Sequence, residues 1–235
     1  MKFSTPLIPA IFIERPNRFL TRVEIDGKIV ESHLPDPGRL KELLYPGVEL
    51  RVQSVPEDSQ RKTRFTTTLV KTGDVWVSLI SIRANTLAKE WLMSKQIPYY
   101  ESYDYERAEI TVGNHRFDFL LTKDKKLYYL EVKSVTFSNQ GIGQFPDAIT
   151  ARGTRHVNTL AKMKKEGIST GILFVCQRHD IESFKPMWDR DPVFSQALFN
   201  AYNDGINVFC VSAKVNEKGI NYYKEIPVYL SPPER

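Results

Sequence analysis

Residues 116–134 read RFDFLLTKDKKLYYLEVKS and decide the fold of the region around them. Two runs of alternating apolar residues flank a charged tip, a pattern typical of a β-hairpin. A turn centred between Asp124 and Lys125 pairs residues whose numbers sum to 249. This register predicts that Asp118 lies directly opposite Glu131 on the neighbouring strand.

Because side chains alternate between the two sides of a strand, the hairpin is predicted to have an apolar face and a polar face. The predicted apolar face holds Phe117, Phe119, Leu121, Tyr128, Leu130 and Val132. The predicted polar face holds Arg116, Asp118, Tyr129, Glu131 and Lys133. Directly opposed residues have Cβ atoms about 4.5–5.5 Å apart. Two carboxylates at that distance are expected either to raise one pKa or to bind a cation.

Asp118, Glu131 and Lys133 form the candidate catalytic group. A hard divalent ion, Mg²⁺ or Mn²⁺, is the expected cofactor, bound by Asp118, Glu131 and the carbonyl oxygen of Val132. Lys133 lies on the same predicted face, where its ammonium could orient a water or offset charge on a phosphoryl oxygen. The pattern predicts metal-assisted phosphodiester chemistry. The alternative is an ordinary exposed Glu-x-Lys strand, since short motifs often occur by chance.

The composition allows one large or two small domains, since the chain has 235 residues. The net charge of +5 and the pI near 9.1 suit a polyanionic partner such as nucleic acid.

Cys176 and Cys210 lie in apolar runs and are expected to be buried free thiols in a reducing cytosol, with a bridge between adjacent strands as the alternative. No apolar run approaches a membrane span, so a cytoplasmic protein without a membrane partner is expected.

Residues 1–83 are predicted to form a β-rich domain. The pattern places strands at 10–14, 18–25, 28–34, 47–54, 64–71 and 74–80, with a short helix at 38–44. Turn signals such as Asp26-Gly27 separate the strands. Five or six short strands predict a small barrel of the OB type, a frequent platform for nucleic acid.

Residues 84–235 are predicted to form an α/β domain with a mixed sheet, so the fold class is α/β with two domains. The pattern places helices at 84–95, 154–166 and 192–203, and strands beyond the hairpin at 107–113, 170–176 and 206–212. The order helix, antiparallel hairpin with Asp and Glu-x-Lys, helix, parallel strand resembles the core of the PD-(D/E)XK nuclease superfamily. That resemblance suggests Glu90 of the first helix as a further metal ligand, with a solvent-exposed role as the alternative.

Eight short blocks follow one another along the chain. They are RPNRF (15–19), HLPDPGRL (33–40), RKT (61–63), RAN (83–85), RFDF (116–119), EVKSVT (131–136), FPDA (145–148) and RGTRH (152–156). Together and in this order they resemble the sugar fermentation stimulation protein A family. The pair Asp36-Pro37 departs from the Asn-Thr that many members carry. The resemblance implies an OB-like domain joined to a nuclease-like domain, DNA binding without strong sequence preference, and a role in regulating sugar utilisation genes.

Four clusters of residues are predicted to contact nucleic acid. They are Arg15, Asn17 and Arg18; Arg39; Arg61, Lys62 and Arg64; and Arg152, Arg155 and His156. Arg39 lies on the predicted helix at 38–44, whose N-terminus could receive a phosphate. The last cluster has a spacing that shares one helix face, where the nuclease superfamily places a basic or amide residue near the scissile phosphate. Each cluster has a simpler alternative, a solvated charged face or a turn held by ion pairs.

Two functions from different classes follow. The first is a divalent-metal-dependent nuclease acting on DNA or RNA, in which Lys133 positions the attacking water. The second is a DNA-binding regulator of sugar utilisation genes whose nuclease-like domain is catalytically silent. A third, a sugar-related enzyme, has no phosphate loop, nucleotide fingerprint or glycosidase-like signature to support it. A homodimer would suit cleavage of both strands, and no residue pattern requires it.

Overall fold

Six strands make up the first part of the chain in the computed structural model, which describes residues 1–56, 58–113 and 115–233. They are β1 (Ile8–Asn17), β2 (Leu20–Ile25), β3 (Lys28–His33), β4 (Glu49–Ser54), β5 (Phe65–Thr72) and β6 (Val75–Ser78). The strands pair in the order β3-β2-β1-β4-β5-β6, and β3 also pairs with β5, so that five of them close into a barrel. The predicted OB-like barrel is confirmed.

The barrel closes around an apolar core because its strands alternate in polarity. In β2, Val23 is buried while Arg22 and Glu24 on either side of it are exposed. Leu50 of β4 and Val70 of β5 are fully buried in the same core. The period-2 pattern of the sequence therefore selects which side of each strand faces inward.

The predicted helix at 38–44 is wrong. Leu40 has a φ of 51°, in the left-handed region that a right-handed helix excludes. A single turn follows, in which the amide of Leu44 donates to the carbonyl of Leu40 at 2.8 Å. Leu40 and Leu43 are buried in the barrel core, so their apolar spacing reflects the packing of a loop. Arg39 consequently lies on a loop, and no helix N-terminus is formed beside it in the described residues.

An α/β domain follows the barrel. Its elements are α1 (Arg83–Met93), β7 (Asp104–Val112), β8 (His115–Lys123), β9 (Lys126–Val135), β10 (Ser138–Asn139), β11 (Ile142–Phe145), α2 (Ala151–Lys165), β12 (Ser169–Cys176), β13 (Ser183–Pro186), α3 (Pro192–Asn203), β14 (Asn207–Asn216) and β15 (Gly219–Ile226). One mixed sheet has the order β15-β14-β12-β9-β8-β7, and β10, β11 and β13 form a small second sheet. Strands β9, β12 and β14 are parallel, and α3 lies in the connection from β12 to β14, as predicted.

Helices cover both faces of the mixed sheet. Helix α1 packs on one face, where Leu87 and Trp91 belong to a buried cluster. Helices α2 and α3 pack on the other, where Val157 and Leu198 belong to a second cluster. Helix α2 therefore covers each side chain of β9 that points to its side of the sheet, whether that side chain is apolar or charged.

The hairpin of β8 and β9 keeps the predicted register, in which paired residue numbers sum to 249, as far as Phe119 and Leu130. Beyond that pair the alternation of β8 breaks, because Phe119 packs in the cluster on the α1 side and Phe117 in the cluster on the α2 side. On the neighbouring strand β7, Glu109 has a φ of 55°. The predicted common face for Phe117 and Phe119 is wrong, and Asp118 lies at the bend between them.

The barrel contacts the second domain beside the end of β9. The amide of Ser78 donates to the carbonyl of Gln177, and the side-chain amide of Gln177 donates to the carbonyl of Ile80, both at 3.0 Å. Near them, the amide of Arg39 donates to the carboxylate of Asp147 at 3.0 Å. These hydrogen bonds hold a barrel loop against the edge where β9 ends.

The two cysteines are buried free thiols, as predicted. Their sulfur atoms lie 3.5 Å apart on the adjacent parallel strands β12 and β14. Within the described ranges, no helix is long and apolar enough to cross a membrane.

Candidate active site

Asp118, at the bend of β8, has both carboxylate oxygens in hydrogen bonds. Its Oδ2 accepts from the amide of Val132 at 2.7 Å, and its Oδ1 accepts from the side-chain amide of Asn85, on α1, at 2.5 Å. Burial raises the pKa of Asp118 to about 6, the charge of Glu131 adds to this effect, and the hydrogen bonds oppose it. Asp118 thus reaches the backbone of Val132, the residue after Glu131, and the strand pairing ends at Phe119 and Leu130, before the predicted pair of Asp118 with Glu131.

Glu131, on β9, is only 3% exposed because α2 covers this face of the sheet. Its Oε1 accepts from Nδ1 of His156, 2.6 Å away on α2, and from the ammonium of Lys133. The hydrogen belongs to Nδ1, because an ionised carboxylate can only accept. Burial alone would raise the pKa of Glu131, but the bonds from His156 and Lys133 outweigh it and hold the pKa below its usual value. Glu131 is therefore ionised at neutral pH.

The second oxygen of Glu131, Oε2, is buried and accepts no hydrogen bond from any described residue. A buried carboxylate oxygen without a partner costs free energy, so a bound cation would explain its presence. The donor set of Asp118, Glu131 and the Val132 carbonyl fits Mg²⁺ or Mn²⁺, which take oxygen ligands and keep several waters. In the described parts of the chain, no three His, Cys, Asp or Glu side chains could hold a metal together. Water or substrate oxygens would have to complete the shell.

An open cleft of about 320 Å³ is lined by residues that hydrogen-bond to these acids. Asn85 and Lys133 line it from the second domain, and Asp36, Pro37 and Gly38 line it from the barrel. Asn85 donates to Asp118 and Lys133 donates to Glu131, so one side chain separates the cleft from each acid, and neither acid lines it. The site is thus shared by both domains.

A second pair of carboxylates, Asp36 and Asp147, lines the same cleft where the domains meet. Asp36 accepts from the amide of Gly38 at 2.7 Å, and Asp147 accepts from the amide of Arg39. A Cβ at Gly38 would lie 2.2 Å from Asp147 and 2.9 Å from Asp36, so the close approach requires glycine. Burial raises the pKa of Asp36 to about 6, and the nearby charge of Asp147 contributes.

Arg15 and Asn17 have structural roles that differ from the predicted phosphate contacts. The guanidinium of Arg15 donates to four backbone carbonyls, those of Arg18, Asp36, Gly38 and Arg39. The side chain of Asn17 accepts from the amide of Phe19 at 2.9 Å, within its own turn. Arg15 therefore holds the loop that borders the cleft, and its predicted contact with nucleic acid is corrected to this role. Asn17 is exposed and holds its own turn, and its contact with nucleic acid stays a prediction.

Arg18 and Arg39 are exposed, as a phosphate contact requires. They line a groove of about 370 Å³ together with Ala148 and Ile149. Arg15 also lines the groove, and it donates to the carbonyls of Arg18 and Arg39. Of the first two predicted clusters, these two arginines stay candidates for nucleic-acid binding.

The predicted cluster of Arg61, Lys62 and Arg64 is exposed at the start of β5. Arg61 donates to the hydroxyl of Thr66 at 3.1 Å, and Arg64 lines a groove of the barrel with Gln53. None of the three lines the cleft beside Asp118. The structure therefore places them on the barrel surface, away from the acids.

Helix α2 separates the third predicted cluster. Arg152 and Arg155 are exposed, whereas His156 is 6% exposed and binds Glu131. The prediction of His156 as a nucleic-acid contact is wrong, because the helix turns it toward the sheet. Nε of Arg152 lies 3.5 Å from Nε2 of His156, so this exposed arginine contacts the histidine that binds Glu131.

The structure does not bring Glu90 to the acids. Its carboxylate pairs with the amine of Met1 at 2.7 Å, and that amine also donates to the carbonyl of Ile220. The α1 residue that reaches Asp118 is Asn85 instead. Glu90 as a metal ligand is therefore corrected to an ion pair at the other end of α1.

The two domains match two models of one family. Residues 13–79 match the SfsA N-terminal OB domain, and residues 82–219 match the sugar fermentation stimulation protein RE domain. The chain belongs to the sugar fermentation stimulation protein family. The resemblance in the sequence blocks is confirmed.

Relatives in this family cover nearly the whole chain. A sugar fermentation stimulation protein homolog of Desulforamulus reducens is 36% identical over 224 residues, 95% of this chain and 93% of that protein. A homolog of Acetivibrio thermocellus is 38% identical over 233 residues, which are 98% of this chain and 100% of that protein. The structure of Pyrococcus furiosus SfsA in complex with Ca²⁺ superposes with a TM-score of 0.87 at 26% identity, covering 97% of this chain and 98% of that one. The two-domain fold is therefore that of the family.

Three residues of this family member take part in the site although sequence reasoning gave them no role. Asn85 orients Asp118, and Asp36 and Asp147 bring the domains together beside the cleft. Each lies in one of the blocks that resemble the family, so membership in these blocks was the feature of the sequence that could have identified them. Their spacing alone could not show which side chain reaches the acids.

Proposed function

We propose that the protein is a divalent-metal-dependent phosphodiesterase that cleaves nucleic acid, with DNA as its first substrate. One observation carries the proposal: the buried Oε2 of Glu131 lacks a partner among the described residues, and Lys133, which binds the other oxygen of Glu131, lines an open cleft. The Ca²⁺ complex of the Pyrococcus furiosus relative supports a divalent cation in the family. The family role in sugar utilisation would then act through nucleic acid.

A divalent ion at the acid pair would lower the pKa of a water molecule and neutralise charge on the scissile phosphate. The protein prepares the ligands for it. Asn85 and the amide of Val132 fix the orientation of the Asp118 carboxylate, so that the lone pairs left free for a metal ion keep a fixed direction. His156 and Lys133 keep Glu131 ionised despite its burial.

Lys133 has a second role in the proposed reaction. Its side chain is 15% exposed and lines the cleft, while its ammonium contacts Glu131. From there it can offset negative charge on a phosphoryl oxygen or orient the attacking water. Arg18 and Arg39, around the neighbouring groove, would bind phosphates further along the strand.

The test is cleavage of labelled single-stranded and double-stranded DNA and RNA, with Mg²⁺ or Mn²⁺ and with EDTA. The proposal predicts products that require the ion. Products that form equally in EDTA would refute the role of the metal. Binding of every substrate without product, at any concentration of either ion, would refute the enzyme.

A catalytically silent DNA-binding regulator is the second candidate. It is favoured by the small number of metal ligands at the site, since no three His, Cys, Asp or Glu side chains come together to hold a metal in the described residues. This candidate predicts a gel shift of DNA without product in Mg²⁺ and Mn²⁺. Its affinity would fall steeply with salt, because phosphate contacts would dominate binding.

A further inference from the structure

Ile82 and Ile149 are the most exposed large apolar side chains in the described residues, at 73% and 75%. Ile82 directly precedes α1 and lines the cleft, and Ile149 lies two residues before α2 and lines the adjoining groove. Pro37 and Gly38 line both spaces, so the cleft and the groove adjoin at this loop. One exposed isoleucine needs no explanation, but two at the borders of one site indicate a surface that meets an apolar partner.

Hydrogen bonds hold the backbone on which both isoleucines stand. Next to Ile149, the amide of Thr150 donates to the carboxylate of Asp191 at 2.8 Å. Next to Ile82, the hydroxyl of Ser81 donates to a barrel carbonyl, that of Pro35, at 3.3 Å. The side chains are thus held at the borders of the cleft and the groove, and the surrounding structure leaves them uncovered.

The groove beside Ile149 is positively charged, whereas the cleft beside Ile82 carries charges of both signs. Arg18 and Arg39 line the groove with Ile149, and Lys133, Asp36 and Asp147 line the cleft with Ile82. Nucleic acid presents the complementary pattern, since charged phosphates follow the strand and flat apolar faces of the bases project from it. Another protein surface would have to bury the guanidinium groups of Arg18 and Arg39 beside Ile149, which is costly without paired acids.

We propose, on the basis of the proposed function, that Ile82 and Ile149 contact base faces of an unpaired stretch of nucleic acid at the cleft. Arg18 and Arg39 bind the phosphates of the same stretch. The substrate class is therefore single-stranded nucleic acid, or a duplex that the protein opens locally. Isoleucine is among the side chains that proteins insert between base steps to unstack them.

The test uses DNA that carries 2-aminopurine, whose fluorescence rises when the base is unstacked. Binding to a single strand and to a duplex is measured in EDTA, so that no cleavage interferes. The variants are Ile82→Ala, Ile149→Ala and their combination, with Ile29→Ala as the control. Ile29 is 62% exposed on β3 and lines neither the cleft nor the groove, so the control removes the same side chain from another surface.

The natural protein and Ile29→Ala are expected to bind the single strand more tightly than the duplex and to raise the fluorescence on binding. The double variant is expected to bind the single strand about tenfold more weakly and to lose the fluorescence change. If the double variant matches the natural protein in both measurements, the inference is refuted. If the natural protein prefers duplex and leaves the bases stacked, it is refuted as well.

The inference and the proposed function can fail separately. Unstacking by the natural protein without cleavage in Mn²⁺ would refute the enzyme and leave the base contacts standing. Cleavage that is equal in the natural protein and the double variant, with equal binding, would refute the base contacts alone. A protein mass that rises with concentration without DNA, and no longer does so in the double variant, would assign the patch to a dimer interface and overturn the inference.

Discussion

Replacing Asp36 by asparagine is expected to stabilise the protein at pH 8. Asp36 is 6% exposed, and burial with the neighbouring charge of Asp147 raises its pKa from 3.8 to about 6. One pKa unit corresponds to about 1.4 kcal/mol, so the ionised carboxylate costs the folded state about 3 kcal/mol at most. Asparagine keeps an oxygen that can accept from the amide of Gly38 and carries no charge.

The sign of the pH dependence follows from the direction of the shift. Because the pKa of Asp36 is higher in the folded state than in the unfolded chain, the folded state binds this proton more tightly. The contribution of Asp36 to the free energy of unfolding therefore falls as pH rises from about 4 to about 6, and the full cost is present above that range. Near pH 4 the cost is absent, so the substitution has little effect there.

The assay is urea unfolding of the natural protein and Asp36→Asn at pH 8 and near pH 4.5. The variant is expected to gain about 1–3 kcal/mol in free energy of unfolding at pH 8 and clearly less at the lower pH. The control is Asp74→Asn, an exposed residue in the turn between β5 and β6, with an expected change below about 0.5 kcal/mol. An Asp36→Asn protein that is less stable than the natural one at pH 8 would refute the reasoning.

His156→Ala removes a hydrogen-bond donor from Glu131 and is expected to lower the cleavage rate about tenfold or more. His156→Gln is expected to recover part of the rate. Equal rates for the natural protein and both variants would contradict a role of the bond from His156 to Glu131 in cleavage. Asn85→Ala removes a donor from the other acid and is expected to weaken Mn²⁺ binding about tenfold in a calorimetric titration, and unchanged affinity would count against its orienting role. Replacing Arg18 and Arg39 together by glutamine should reduce the slope of log affinity for DNA against log salt by about two, and an unaltered slope would mean that neither contacts a phosphate.

Local patterns were enough to predict most of the fold. The alternation of polarity and the turn signals place the barrel strands, because a strand with one face in a core needs both. The two-residue tip at Asp124 and Lys125 fixes the hairpin register as far as Phe119 and Leu130, and beyond that pair Asp118 accepts from the amide of Val132, next to Glu131. The strand-helix-strand order around α3 predicts the parallel pair of β12 and β14.

Long-range contacts explain the parts that the sequence did not predict. The break in alternation at Asp118 lies opposite Glu109 of β7, which has a positive φ, and no pattern within the hairpin encodes it. The role of Arg15 depends on carbonyls that the fold brings around it. An amphipathic helix pattern cannot show whether Asn85 or Glu90 reaches the acids, since that choice depends on how α1 lies on the sheet.

The most direct test of the central claim is the binding of Mn²⁺ to the natural protein and to Glu131→Gln, measured by calorimetry without nucleic acid. Glu90→Gln is the matched control, because its carboxylate pairs with the amine of Met1 away from the acid pair. We expect the natural protein and Glu90→Gln to bind Mn²⁺ with the same affinity, and Glu131→Gln to bind it at least about tenfold more weakly. Equal binding by Glu131→Gln and the natural protein would contradict a metal site at Asp118 and Glu131.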